Sequence, residues 1–169
     1  MPPDDPGSNF AMARRTMLEK LELRPAQIHR IHGEEQPETA ARLYEDELRQ
    51  FFQLAPGAIP SFNLVLLGLG ENAHIASLFP GHPALHEEKR LAVAVAVDAP
   101  QRQRISLTAT VLNNAGNVLF LVSGEAKAQA VKQVLEGPHD PEQFPAQIIQ
   151  PAKGHVLWLL DKAAARLLS

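Results

Sequence analysis

The chain of 169 residues contains no cysteine. That absence excludes a disulfide framework, a thiolate nucleophile and a cysteine-based zinc site. There is no excess of basic charge: 16 Lys and Arg stand against 19 Asp and Glu, a formal net charge of −3. Nothing in that balance favours a phosphate backbone, so no nucleic-acid partner is predicted. No apolar run reaches the length of a membrane helix, so no membrane partner is predicted either. The segment "MPPDDPGSNF" lacks a basic region followed by an apolar core, the pattern of a secretory leader. The expected location is the cytoplasm. Several motifs are missing too. "GLG" has no third glycine to complete a dinucleotide fingerprint, and Ser77 sits in no Gly-x-Ser-x-Gly elbow.

What is present is the balance of a globular domain. Hydrophobic residues make up 45% and charged ones 21%, and no linker or repeat divides the chain, so residues 1–169 read as one domain. "NFAMARRTMLEKLEL" has helical spacing after Ser8, a capping residue, and "QPETAARLYEDELRQFF" is a second helix with Pro37 in its first turn. "QIHRIH" alternates like a short strand. "FNLVLLGLG", "RLAVAVAV" and "NVLFLVSG" are buried-strand runs, the first of the kind covered on both faces. "RISLTATVL" alternates and then turns helical, "EAKAQAVKQVLEG" is a helix stopped by Gly137, and "HVLWLL" and "DKAAARLL" read as a last strand and a last helix. Strands alternating with helices predict an α/β domain with a mostly parallel sheet.

Ligands of such sheets bind beyond the carboxyl ends of the strands, which selects three loops. In "GLGENAHIAS", Gly68 and Gly70 allow a tight turn and close ligand approach. A helix beginning near His74 would present free amides to an anion. His74 itself is either a general base, oriented by Glu71 or Asn72, or a residue that caps and lines the turn. In "DAPQRQR", Arg102 and Arg104 either clamp a phosphate or belong to a solvated loop. In "SGEAKAQ", Lys127 in the first helical turn opposes the helix dipole, a cost that a bound anion would offset; the plainer reading is an N-cap by Ser123. Asp161 reads as the cap of the last helix. His29 and His32 point to opposite faces if their segment is a strand, and His82 and His86 flank Pro83 rather than sharing a helix, so no metal is predicted.

The stretch "LVLLGLGENAHIASLFPGHPAL" resembles the signature of the 6-phosphogluconolactonase family, in the glucosamine-6-phosphate isomerase/deaminase superfamily. There the strand ends in Gly-x-Gly-x-Asp-Gly-His-Thr-Ala-Ser-Leu-Phe-Pro-Gly. "PPDDPGSNFAMARRTML", "IHRIHGE", "PETAARLYEDELR", "RISLTATVLNNAGNVLFLVSGEAKAQAVKQVLEG" and "FPAQIIQPAKGHVLWLLDKAAARLL" extend the likeness along the chain. The resemblance implies a Rossmann-like α/β fold, its mostly parallel sheet flanked by helices. It implies hydrolysis of 6-phosphoglucono-1,5-lactone to 6-phosphogluconate in the oxidative pentose phosphate pathway, with no metal or organic cofactor. His74 falls on the family's general base, with Glu71 and Asn72 as its catalytic neighbours. Gly70, Ser77, Arg102, Arg104, Lys127 and Asn9 fall at substrate-binding positions. Two other readings go with the same family: a non-catalytic relative that binds a sugar phosphate or a partner, and an isomerase or deaminase.

The sequence departs from the family pattern in three places. Asn72-Ala73 replace Asp-Gly, so the orienting group beside His74 is neutral. Gln101 stands nearest a position where the family has lysine. A strand, a Gly-rich phosphate loop, a helix and a strand ending in an Asp-Glu-Arg-like motif precede "PPDDPGSN" in the family. Relative to it the fold is expected to be truncated on its N-terminal side, either as a fragment or as a short form in which a homo-oligomer covers the sheet left open.

Overall fold

A computed structural model describes residues 1–97 and 103–169. Arg102 and Gln101 lie outside the described residues. The elements run α1 (Asn9–Thr16), α2 (Pro37–Phe51), β1 (Val65–Leu67), β2 (Ala92–Ala96), β3 (Gln103–Leu107), α3 (Ala109–Asn113), β4 (Asn117–Val122), α4 (Ala128–Glu136) and β5 (His155–Leu160), with short 3₁₀ turns between them. The Ser8 hydroxyl accepts from the Ala11 amide and caps α1, and Pro37 opens α2, both as the sequence predicts.

β1, β4 and β5 form a parallel sheet in the order β1-β4-β5, with Leu67, Phe120 and Trp158 in register. Alternation along β4 sends Val118, Phe120 and Val122 into the core. Phe120 stacks on Trp158 with centroids 3.8 Å apart. The opposite face is open: Leu66, Leu121, Leu157 and Leu159 are each about half exposed. Cover on both faces, expected from the apolar runs, is therefore found on one face only.

The sheet is also divided. β2 and β3 pair antiparallel as a separate ribbon, Val93 opposite Ser106 and Val95 opposite Arg104. Six residues, 97–102, separate them. A parallel neighbour needs a crossover of about a dozen residues, so this spacing permits an antiparallel return only.

Three predicted elements are absent. Residues 28–32 form no strand; their side chains are tied locally instead, His29 to Glu47 on α2 at 2.7 Å and Arg30 to Glu34 at 2.7 and 2.8 Å. Residues 74–79 form no helix, because Ala73 and Ala76 adopt left-handed φ of 61° and 47° that break any helical run. After β5 the chain turns without a regular helix. The Asp161 carboxylate accepts from the Ala164 amide at 2.7 Å and from the Gly124 amide at 3.0 Å, a local alternative to helical bonding. The Ser123 cap is not formed: Gly124, at φ 95°, occupies the cap position of the 3₁₀ turn Glu125–Lys127, which leads into α4, and no side chain caps either.

Candidate active site

The loop after β1 is held from beneath. Ile75 and Leu78 are fully buried in the main core, and Leu69 is nearly so. Between these anchors the backbone closes a tight turn. The Gly70 amide donates to the His74 carbonyl at 2.9 Å, and the Ala73 amide donates to the Gly70 carbonyl at 3.0 Å. The imidazole of His74 folds back over Gly70. A Cβ at position 70 would lie 2.0 Å from His74 Nδ1 and 2.3 Å from Cε1. Glycine is required here by close approach, not by backbone angle.

Two neighbours orient the ring. Asn72 Oδ1 lies 2.7 Å from Nδ1. An amide oxygen only accepts, so Nδ1 carries the proton and Nε2 keeps its lone pair. Phe79 stacks on the ring at 4.4 Å and 29°. Partial burial, then the positive charges of Arg104 and Lys127, push the His74 pKa below its ordinary value. The ring is therefore neutral at pH 7 and available as a base. Glu71 turns the other way: its Oε1 lies 3.9 Å from Lys127 Nζ, at the start of α4.

Beside this loop lies a cavity of about 670 Å³ whose wall includes Asn9, Ser77, Arg104, Arg30, His29 and Tyr44. Its two arginines differ. Arg30 forks onto Glu34, whose carboxyl it pulls down to about 2. Arg104 forms no ion pair among the described residues, and its Nε is buried without a partner. A cationic group in that condition is poised for an anionic ligand.

Residues 1–158 match the profile of the family described as glucosamine-6-phosphate isomerases/6-phosphogluconolactonase. The chain belongs to this family. The 6-phosphogluconolactonase of Homo sapiens is 40% identical over 100% of this chain and 65% of its own length. That of Synechocystis sp. is 41% identical over 95% of this chain and 66% of its own. The chain thus spans just under two thirds of the length of these curated relatives. Among solved structures, the devB protein superposes with a TM-score of 0.90 at 32% identity, covering 100% of this chain and 70% of that one. The 6-phosphogluconolactonase from Trypanosoma cruzi superposes with a TM-score of 0.84 at 26% identity, covering 100% of this chain and 69% of that one.

Within this family framework the expected site residues fall into two groups. Gly70, Asn72 and His74 form one compact turn, with Glu71 and Lys127 paired next to it. Asn9, Ser77 and Arg104 share the cavity wall. Arg104 connects the groups, since its charge acts on His74. His29–Glu47 and His86–Glu142 are two-residue pairs, and no cluster of three or more His, Asp or Glu fit to hold a metal occurs among the described residues. Sequence reasoning missed Phe79 and Ser106. Phe79 stands five residues after His74 in an apolar patch and gives no separate signal. Ser106 occupies a strand, where a buried hydroxyl looks like any other small residue.

Proposed function

We propose that this chain hydrolyses 6-phosphoglucono-1,5-lactone to 6-phosphogluconate, with His74 as general base. The observation that carries the reading is the Asn72–His74 contact at 2.7 Å, which leaves Nε2 unprotonated on a ring whose pKa is lowered by partial burial and then by the charges of Arg104 and Lys127. The names of the curated relatives support it.

Nε2 takes a proton from water as the water oxygen bonds to the lactone carbonyl carbon. The carbonyl pair moves to oxygen, and Lys127 supplies positive charge for that oxyanion. The intermediate collapses, the ring C–O bond breaks, and the imidazolium returns its proton to the departing ring oxygen. The product acid then ionises. Arg104, with Asn9 and Ser77 on the same wall, receives the phosphate, and Gly70 lets the ring lie close enough to the reacting centre. Glu71 holds Lys127 in place. Arg102 is a further candidate for the phosphate. The reaction so written uses no metal and no organic cofactor.

A cytoplasmic location goes with this reading. A second copy of the chain over the leucine face of the sheet is proposed as well; a monomer by light scattering at micromolar concentration would remove that part. The activity is tested by lactone hydrolysis with purified protein and with His74→Ala, subtracting spontaneous hydrolysis. The expected result is turnover by the wild type that the variant loses. Wild-type curves matching buffer would sink the reading. Saturable binding of 6-phosphogluconate without turnover would then mark a non-catalytic binder.

A further inference from the structure

We propose that Ser106 is a positioning residue: its hydroxyl registers the His74 loop against the strand that carries Arg104. This rests on the reading of His74 and Arg104 as parts of one site.

Ser106 lies on β3 and is 2% exposed. Its hydroxyl accepts from the Ser77 amide at 3.1 Å and donates to the Leu107 carbonyl at 2.9 Å. Both hydrogen-bonding capacities are in use, and the Ser77 amide it satisfies belongs to a residue that is itself buried. Strand periodicity places Arg104, two residues earlier, on the same face of β3 as Ser106. Ser77 in turn follows His74 by three residues.

The loop has other tethers, but they lead elsewhere. The Ala146 amide donates to the Ala73 carbonyl and the Gly81 amide donates to the Glu142 carbonyl, both at 3.0 Å. These fix the loop to the segment after α4. Among the described residues, the Ser106–Ser77 bond is the hydrogen bond that joins the loop to the Arg104 strand. β2 and β3 form a ribbon separate from the main sheet, so the ladder hydrogen bonds of that sheet do not set this distance. The groups that act on the His74 ring are Arg104 and Lys127, with Glu71 paired to Lys127. Loosening the loop from β3 increases solvation of the ring and moves it from Arg104, so its pKa rises toward the ordinary value.

The test uses Ser106→Ala and Ser106→Thr, the latter keeping the hydroxyl. His74 is titrated by NMR through its ring nitrogens. The expected result is a higher midpoint in the alanine variant and a wild-type midpoint in the threonine variant; equal midpoints in all three overturn the proposal. In lactone hydrolysis, the alanine variant should lose kcat by ~10-fold or more, a loss the threonine variant does not show. Unchanged kcat, or an equal loss in the threonine variant, counts against it. Hydrogen exchange of the wild type covers the case where the alanine variant fails to fold. The Ser77 amide should be protected like those of β3, and fast exchange there overturns the proposal. The titration and the exchange need no substrate, so they decide the role of Ser106 even if the protein proves to be no lactonase.

Discussion

Gly70→Ala separates activity from stability. The new Cβ would sit 2.0 Å from His74 Nδ1. Ordinary carbon contacts begin near 3.5 Å, so the ring must retreat by about 1.5 Å. The 2.7 Å contact with Asn72 cannot survive that shift, and the stacking on Phe79 at 4.4 Å is disturbed with it. A misplacement of about 1 Å at a reacting group costs roughly 100-fold in rate, about 3 kcal/mol in the barrier. Stability should barely move. The lost hydrogen bond costs about 1 kcal/mol. Gly70 has no left-handed φ, so alanine returns about 0.4–1 kcal/mol through the unfolded chain. The assay is lactone hydrolysis with spontaneous breakdown subtracted, beside a thermal melt of the same preparation. A variant with near wild-type turnover would refute the placement of the ring over Gly70. A variant that lost turnover only because it unfolded would refute the energetic argument.

Asn72→Asp restores a charged partner to the imidazolium, so the ascending limb of the pH–rate profile should move up and kcat should rise about tenfold; a profile unchanged in position rules out direct coupling. In the wild type the depressed His74 pKa means that the unfolded chain binds more protons between that value and the ordinary imidazole value, about 6.5. Stability should fall as pH drops through that window, and urea melts of the wild type and of His74→Gln should show the slope reduced in the variant. Ala76 is exposed at φ 47°, so Ala76→Gly should gain about 0.5–1 kcal/mol and raise Tm by a degree or more. Phe120 is fully buried and stacked on Trp158, so Phe120→Ala should cost about 3–5 kcal/mol, followed by fluorescence of the one tryptophan.

Composition and apolar runs were enough to read the α/β class, the strands β1, β2, β4 and β5, the cap at Ser8 and the loop that bears His74. These are local: each depends on residues adjacent in the chain, and patterns of two and 3.6 report them directly. The antiparallel ribbon was also legible in principle, from the six residues between Ala96 and Gln103. The failed elements at residues 28–32 and 74–79 show the opposite case. Alternation at 28–32 is overridden by pairs with Glu47 and Glu34, and the helix expected near His74 is overridden by two left-handed alanines.

Local residue patterns are enough to show which chemistry is at hand: one histidine in a Gly-x-Gly turn, cations in two later segments, and no thiol to compete with them. How those groups act follows from packing between distant segments. It chose Asn72 over Glu71 as the partner of Nδ1, gave Glu71 to Lys127, paired Arg30 and left Arg104 without an ion pair among the described residues. It also placed Ser106 under Ser77, 29 positions away in the chain. Proton location and charge depend on distances of a few tenths of an ångström between side chains, and only packing of the whole chain sets those.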